Sequence, residues 1–145
     1  MILVCGAAGF VGQSLLPELA RAGAGPLRGL VRREFDAVRL RDSDFEAVTA
    51  DVVEGRGLDG AVRGVETLVY LVHTLDRAGD VVANDLEAAQ NTMLAARAAG
   101  VRRVVFLGHV AASEEAAAAY LVARWAAELA VRQSGLEQVI VRAPM

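Results

Sequence analysis

Short apolar runs recur along the chain, each followed by a segment with helical spacing of apolar positions. Residues 2–5 (Ile-Leu-Val-Cys) predict a first strand, and residues 10–22 a first helix stopped at Gly23. Pro17 inside that helix lacks an N–H for the bond toward Gln13, so a kink is expected there. Residues 27–31 predict a second strand, followed by a charged stretch with little pattern. A short third strand at 47–50 ends at Asp51, and a weak helix near 57–63 leads to an apolar strand at 67–72. Asp80 is placed to cap a long helix that Gly100 stops near Ala99. A fifth strand at 104–107, a helix over 114–133 ending near Gly135, and a sixth strand at 139–141 complete the series.

Continuous apolar strands separated by helices imply a parallel sheet covered on both faces. Right-handed crossovers then give an α/β doubly wound sheet, a three-layer Rossmann-like fold of about six strands, with its crevice at the carboxyl ends of the strands. No linker, repeat or low-complexity segment interrupts residues 1–145, which read as one domain.

Composition narrows the chemistry. The net charge of −3 and the lack of a basic stripe argue against nucleic acid as a partner. No apolar stretch approaches the roughly 18 residues that span a bilayer, and no leader precedes the first strand, so a cytoplasmic location is expected. The lone cysteine, Cys5, reads as a small core residue. All fifteen basic residues are arginines, which excludes a catalytic or phosphate-loop lysine within the chain.

The most specific stretch is Gly6-Ala7-Ala8-Gly9-Phe10-Val11-Gly12, directly behind the first strand. Strand, glycine-rich turn and helix start are the geometry in which backbone N–H groups meet a pyrophosphate. Gly6 serves the tight turn, Gly9 the close approach of phosphate, and Gly12 the packing of helix on strand.

These residues carry a family resemblance. GAAGFVG resembles the turn of extended and atypical short-chain dehydrogenases/reductases, including the NmrA-like group. The likeness continues through Asp51-Val52, Tyr70-Leu71-Val72-His73, Asn91, the Ala99–Val105 stretch, and Glu128 through Ser134-Gly135-Leu136 to Arg142-Ala143-Pro144. It implies that Gly6, Ala8, Gly9, Phe10, Val11 and Gly12 hold the pyrophosphate. Asp51 and Val52 would serve the adenine, and Leu71, Val72 and His73 would pass beneath the nicotinamide.

Arg32, twenty residues after Gly12, and Arg33 end the second strand where an NAD-selective site carries a carboxylate. A guanidinium there pairs with a 2′-phosphate, so NADP is expected over NAD.

Family reductases use a Tyr-x-x-x-Lys pair; here the register offers Tyr120 and Arg124, one helical turn apart. Arginine can hold a tyrosinate or a ribose but relays no proton. Ser113 stands nearest to the family's serine, and His73 and His109 both follow strands at the crevice edge. Family members continue beyond the Arg-Pro ending into a substrate region, so the resemblance implies a cofactor half without most of that region.

Two functions are compatible with this pattern. One is NADPH-dependent reduction, or epimerase-like chemistry, on a small carbonyl or sugar-nucleotide-like substrate. The other is an NmrA-like redox sensor that binds NADP without turnover. The long helices 80–99 and 114–133 are also suited to pairing with a second copy.

Overall fold

The computed structural model describes residues 1–144 and contains six strands and five helices over that span. The strands are β1 (Ile2–Cys5), β2 (Leu27–Val31), β3 (Glu46–Thr49), β4 (Thr67–Tyr70), β5 (Arg103–His109) and β6 (Glu137–Ala143). The helices are α1 (Phe10–Arg21), α2 (Glu34–Asp42), α3 (Leu58–Ala61), α4 (Val81–Ala98) and α5 (Ala119–Arg132). All strands are parallel in the order β3-β2-β1-β4-β5-β6, so the chain reverses its direction of travel across the sheet after β3. That reversal sets a crevice at the carboxyl ends of β1 and β4.

Side-chain alternation divides the core into two layers. Leu3, Cys5, Leu68, Tyr70, Val104 and Phe106 face α3, α4 and α5, where Ala89, Met93, Ala127 and Val131 meet them. Val4, Val31, Ala47 and Val69 face the other way, onto Leu16 of α1 and Ala37 of α2. The alanine-rich helices suit this arrangement, because small side chains let helix and sheet approach closely. Cys5 is fully buried in the first layer, and burial pushes its thiol up to about 12, so it stays a neutral packing group.

Strands β5 and β6 are each longer than the sequence reading has them, and three further elements differ from it. Helix α2 occupies the charged stretch that carries little apolar pattern. It buries only Asp36 and Ala37, but places Glu34 and Asp36 in its first turn and Arg39 and Arg41 in its last, in favourable alignment with the helix dipole. Helix α5 starts at Ala119 rather than 114, because residues 114–118 offer almost nothing to bury and the N-cap Ala118 has no capping side chain. Strand β4 ends at Tyr70, and Leu71 and Val72 continue beyond the ladder into the crevice. Pro17 lies within α1, which runs unbroken from Phe10 to Arg21. Asp80 caps α4 as expected, accepting from the N–H groups of Val82 (2.8 Å) and Ala83 (3.2 Å).

Glu128 explains part of the chain's ending. Buried on α5, its carboxylate receives Arg142 of β6 (2.7 Å) and Arg132 one turn along (2.9 Å). Burial pushes this carboxyl up, but the two guanidinium groups outweigh it and hold it below the ordinary glutamate value of 4.5. A depressed carboxyl stabilises the fold above the unfolded-state value and loses that contribution as pH falls through the folded-state value. Urea unfolding in an acid series should therefore show stability falling below about pH 4.5, with a shallower slope in Glu128→Gln. An unchanged slope in that variant would show that the pair does not contribute.

Candidate functional site

Gly6 follows β1 with φ +85°, a left-handed conformation that side chains resist, and a Cβ there would lie 3.2 Å from the Leu71 carbonyl carbon. Its carbonyl accepts the Gly9 N–H at 3.0 Å, closing the turn. Gly9 is the N-cap of α1 and has no side chain to satisfy the first-turn N–H groups, which leaves an electropositive helix start at the turn. Phe10 is 92% exposed at that start, and Gly12 packs its Cα side directly on Gly6 and Ala7. The Ala8 carbonyl is tied back by Gln13 Nε2 at 2.6 Å.

A cleft of about 230 Å³ opens along the carboxyl ends of β1 to β4. The glycine turn after β1, with Gly6, Ala8 and Gly9 in its wall, lies between the ends of β2 and β4. Arg32 and Arg33 after β2 and Asp51 and Val52 after β3 line one side of it, and Leu71, Val72 and His73 after β4 line the other. The fold thus brings together ten of the thirteen residues expected to hold a cofactor. The other three, Phe10, Val11 and Gly12, form the first turn of α1 beside it.

The charges in this cleft are paired in ways the sequence reading does not anticipate. Asp51 accepts the Val53 and Glu54 N–H groups at 3.0 and 3.1 Å, and Arg77 Nη1 contacts both of its oxygens at 3.1 and 2.9 Å. Partial burial pushes the Asp51 carboxyl up, but Arg77 and the two N–H groups win and hold it below 3.8. Arg32 pairs with Asp76 at 3.0 Å, and Arg33 with Asp36 at 2.9 Å. Asp36, Asp76 and Arg77 all line the cleft. Their signal in the sequence is positional only: charged residues just beyond β2 and β4, at the edge where ligands bind. Asn91 of α4 donates to the carbonyls of Val52 (3.1 Å) and Val53 (2.8 Å), which accounts for an asparagine at that point of the family pattern.

Tyr120 and Arg124 occupy the first two turns of α5, and their chemistry diverges. Tyr120 meets His109 edge-on, with ring centroids 6.3 Å apart, at the carboxyl end of β5. Arg124 is 3% exposed and turns its donors inward. It bonds the Val72 carbonyl at 2.6 Å, the Leu107 carbonyl at 3.3 Å and Asp85 of α4 at 3.2 Å, over the Phe106 ring. Asp85, 1% exposed, also accepts the N–H (2.8 Å) and hydroxyl (2.7 Å) of Thr74. The arginine therefore clamps the ends of β4 and β5 and the start of the next loop. Ser113 is exposed in the turn after β5 and is not part of the cleft wall, whereas His73 is exposed and is part of it. No helix among the described residues is long and apolar enough to cross a membrane.

Residues 6–145 match the family described as NAD(P)H-binding. Among curated proteins, the ceramide reductase of Caulobacter vibrioides is 34% identical over 152 residues, covering 99% of this chain and 45% of that protein. Among solved structures, the triphenylmethane reductase of Citrobacter sp., complexed with NADP(H), superposes with a TM-score of 0.83 at 25% identity, over 100% of this chain and 50% of that one. A short-chain dehydrogenase/reductase superfamily protein of Agrobacterium tumefaciens with bound NAD gives 0.76 at 26% identity, over 98% and 48%. The chain thus spans about half the length of these relatives.

Proposed function

The chain belongs to the NAD(P)H-binding family, and on that premise we propose that it is the cofactor-holding part of an NADPH-dependent reductase acting on a small carbonyl or sugar-nucleotide-like substrate. The observation that carries the reading is one cleft joining a glycine cradle, which side chains would fill, to Arg32 and Arg33 at the end of the neighbouring strand β2. Gly6, Gly9 and the first turn of α1 bind the pyrophosphate, and Arg32 with Arg33 takes the 2′-phosphate. Asp51 and Val52 border the adenine. Leu71, Val72 and His73 form the shelf under the nicotinamide, and Tyr120 is the acid that gives the carbonyl oxygen its proton. A bound reduced nicotinamide supplies the hydride. Arg124 supports the shelf through the Val72 carbonyl, a positioning role that suits a group unable to relay protons. The cytoplasm, which holds NADPH, is the location consistent with this reading. Exposed Leu94 on α4 and Leu129 on α5 suit packing against a second copy.

A non-catalytic NADP-binding sensor is the second reading, favoured by the burial of Arg124 in an ion pair where family reductases carry a lysine. Binding without turnover on any carbonyl offered, together with a protein partner whose affinity follows the cofactor's redox state, would select the sensor.

Titration with NADPH and NADH, followed by cofactor fluorescence and calorimetry, tests the premise of both. Wild type should bind NADPH more tightly. Arg32→Ala should weaken NADPH by about ten- to a hundredfold, the worth of one charge-assisted bond, and leave NADH within about twofold. NADH binding as tight as NADPH binding in the wild type would overturn the preference.

A further inference from the structure

The loop between β4 and α4 lines the cleft and is tied by side chains to the ends of β2 and β3. At its start, Thr74 is held by buried Asp85. Near its end, the Ala78 carbonyl accepts Asn84 Nδ2 at 3.1 Å. Between these anchors, two neighbouring side chains reach in opposite directions. Arg77 grips Asp51 and Glu54 beyond β3, and Asp76 reaches Arg32 at the end of β2. The Arg77–Asp51 pair is mostly buried, with Nη1 against both carboxylate oxygens, whereas Arg32 and Asp76 remain 43% and 67% exposed. One attachment is therefore firm and the other exchangeable, since exposed ion pairs contribute little and are readily traded.

We propose that Asp76 is a specificity-determining residue: its carboxylate occupies Arg32 as a stand-in anion that a ligand's 2′-phosphate must displace. The inference rests on the cofactor reading above and goes beyond it, because it assigns a competitor to the phosphate-binding arginine. A 2′-phosphate outbids a carboxylate for a guanidinium by its greater charge and three acceptor oxygens. An unphosphorylated ribose offers only a hydroxyl and leaves the Arg32–Asp76 pair in place. Displacement needs only a side-chain rotation, because Arg77 keeps the loop attached while Asp76 swings away. Asp76 thus lowers affinity for 2′-phosphorylated ligands in particular, by occupying Arg32.

The test uses adenosine 2′,5′-bisphosphate and ADP as calorimetric probes on wild type, Asp76→Asn, Arg32→Ala and the double variant. Asp76→Asn should tighten the bisphosphate by about three- to tenfold and leave ADP within about twofold. The gain should vanish in the Arg32→Ala background, because the two residues act on one phosphate. Asp76 is exposed, so its substitution should leave the thermal midpoint unchanged. Equal gains for both probes, no gain for either, or a gain that survives Arg32→Ala would overturn the assignment of Asp76 and leave the cofactor reading standing. A wild type that binds neither probe nor NADPH would overturn both.

Discussion

Gly12→Ala is expected to abolish dinucleotide binding and to lower folding stability by about 1–3 kcal/mol, the cost of overpacking a close contact. In an open helix the same change is stabilising by about 0.5–1 kcal/mol, since alanine restricts the unfolded chain. Here the added Cβ overlaps the Gly6 carbonyl oxygen and stands 2.7 Å from the Cα and the carbonyl oxygen of Ala7. These are backbone atoms with no rotamer to give way. Either α1 moves off the sheet or the turn opens, and both displace the helix start from the phosphate position. Gly60→Ala is the matched control. Gly60 lies in α3 with nothing within 4 Å of its Cβ position, so that variant should be as stable as wild type or slightly more so. Urea unfolding and NADPH titration of the two variants read both effects. Wild-type stability and binding in Gly12→Ala would show that the helix–turn contact is not what shapes the site.

The second large effect is expected at Asp85. Asp85→Ala should cost about 3–5 kcal/mol of unfolding free energy, the usual penalty for leaving a buried charge without its partner. Arg124 would keep two carbonyl bonds and the Phe106 ring but lose its carboxylate partner, and Thr74 would lose the acceptor of both its N–H and its hydroxyl. The paired variant Asp85→Ala with Arg124→Met should recover much of the loss, because it removes the stranded charge. A loss under about 1 kcal/mol in the single variant would mean that water reaches Arg124. The functional consequence is local: Thr74 anchors the loop that carries His73, Asp76 and Arg77, so cofactor affinity should weaken even where the protein stays folded.

Most of the architecture was legible because its signals are local. The glycine turn reports its own backbone conformation, and Gly6 and Gly12 occupy positions where a side chain collides with main chain. The β strands advertise themselves as apolar runs, and the Asp80 cap and the Gly100 stop bound α4 within a residue or two. Helix α2 escaped because it buries so little that its periodicity is weak. Its existence follows from the crossover needed between two neighbouring parallel strands. The start of α5 is not legible because an alanine run suits a helix by propensity, while burial begins only at Tyr120.

The sequence by itself therefore determined a doubly wound sheet, the glycine turn, and which residues gather at the sheet's carboxyl edge. Only the tertiary structure decided how the charged side chains there are used. Spacing puts Tyr120 and Arg124 on one helix face, yet Arg124 turns under the sheet edge to Asp85, thirty-nine residues away. Arg32 meets Asp76 across forty-four residues, and Asp51 meets Arg77 across twenty-six. Backbone turns and apolar periodicity depend on near neighbours, so they can be read along the chain. The partner of a long, flexible ion depends on which loops the crossovers bring to the same edge, and that is known only once the sheet is assembled.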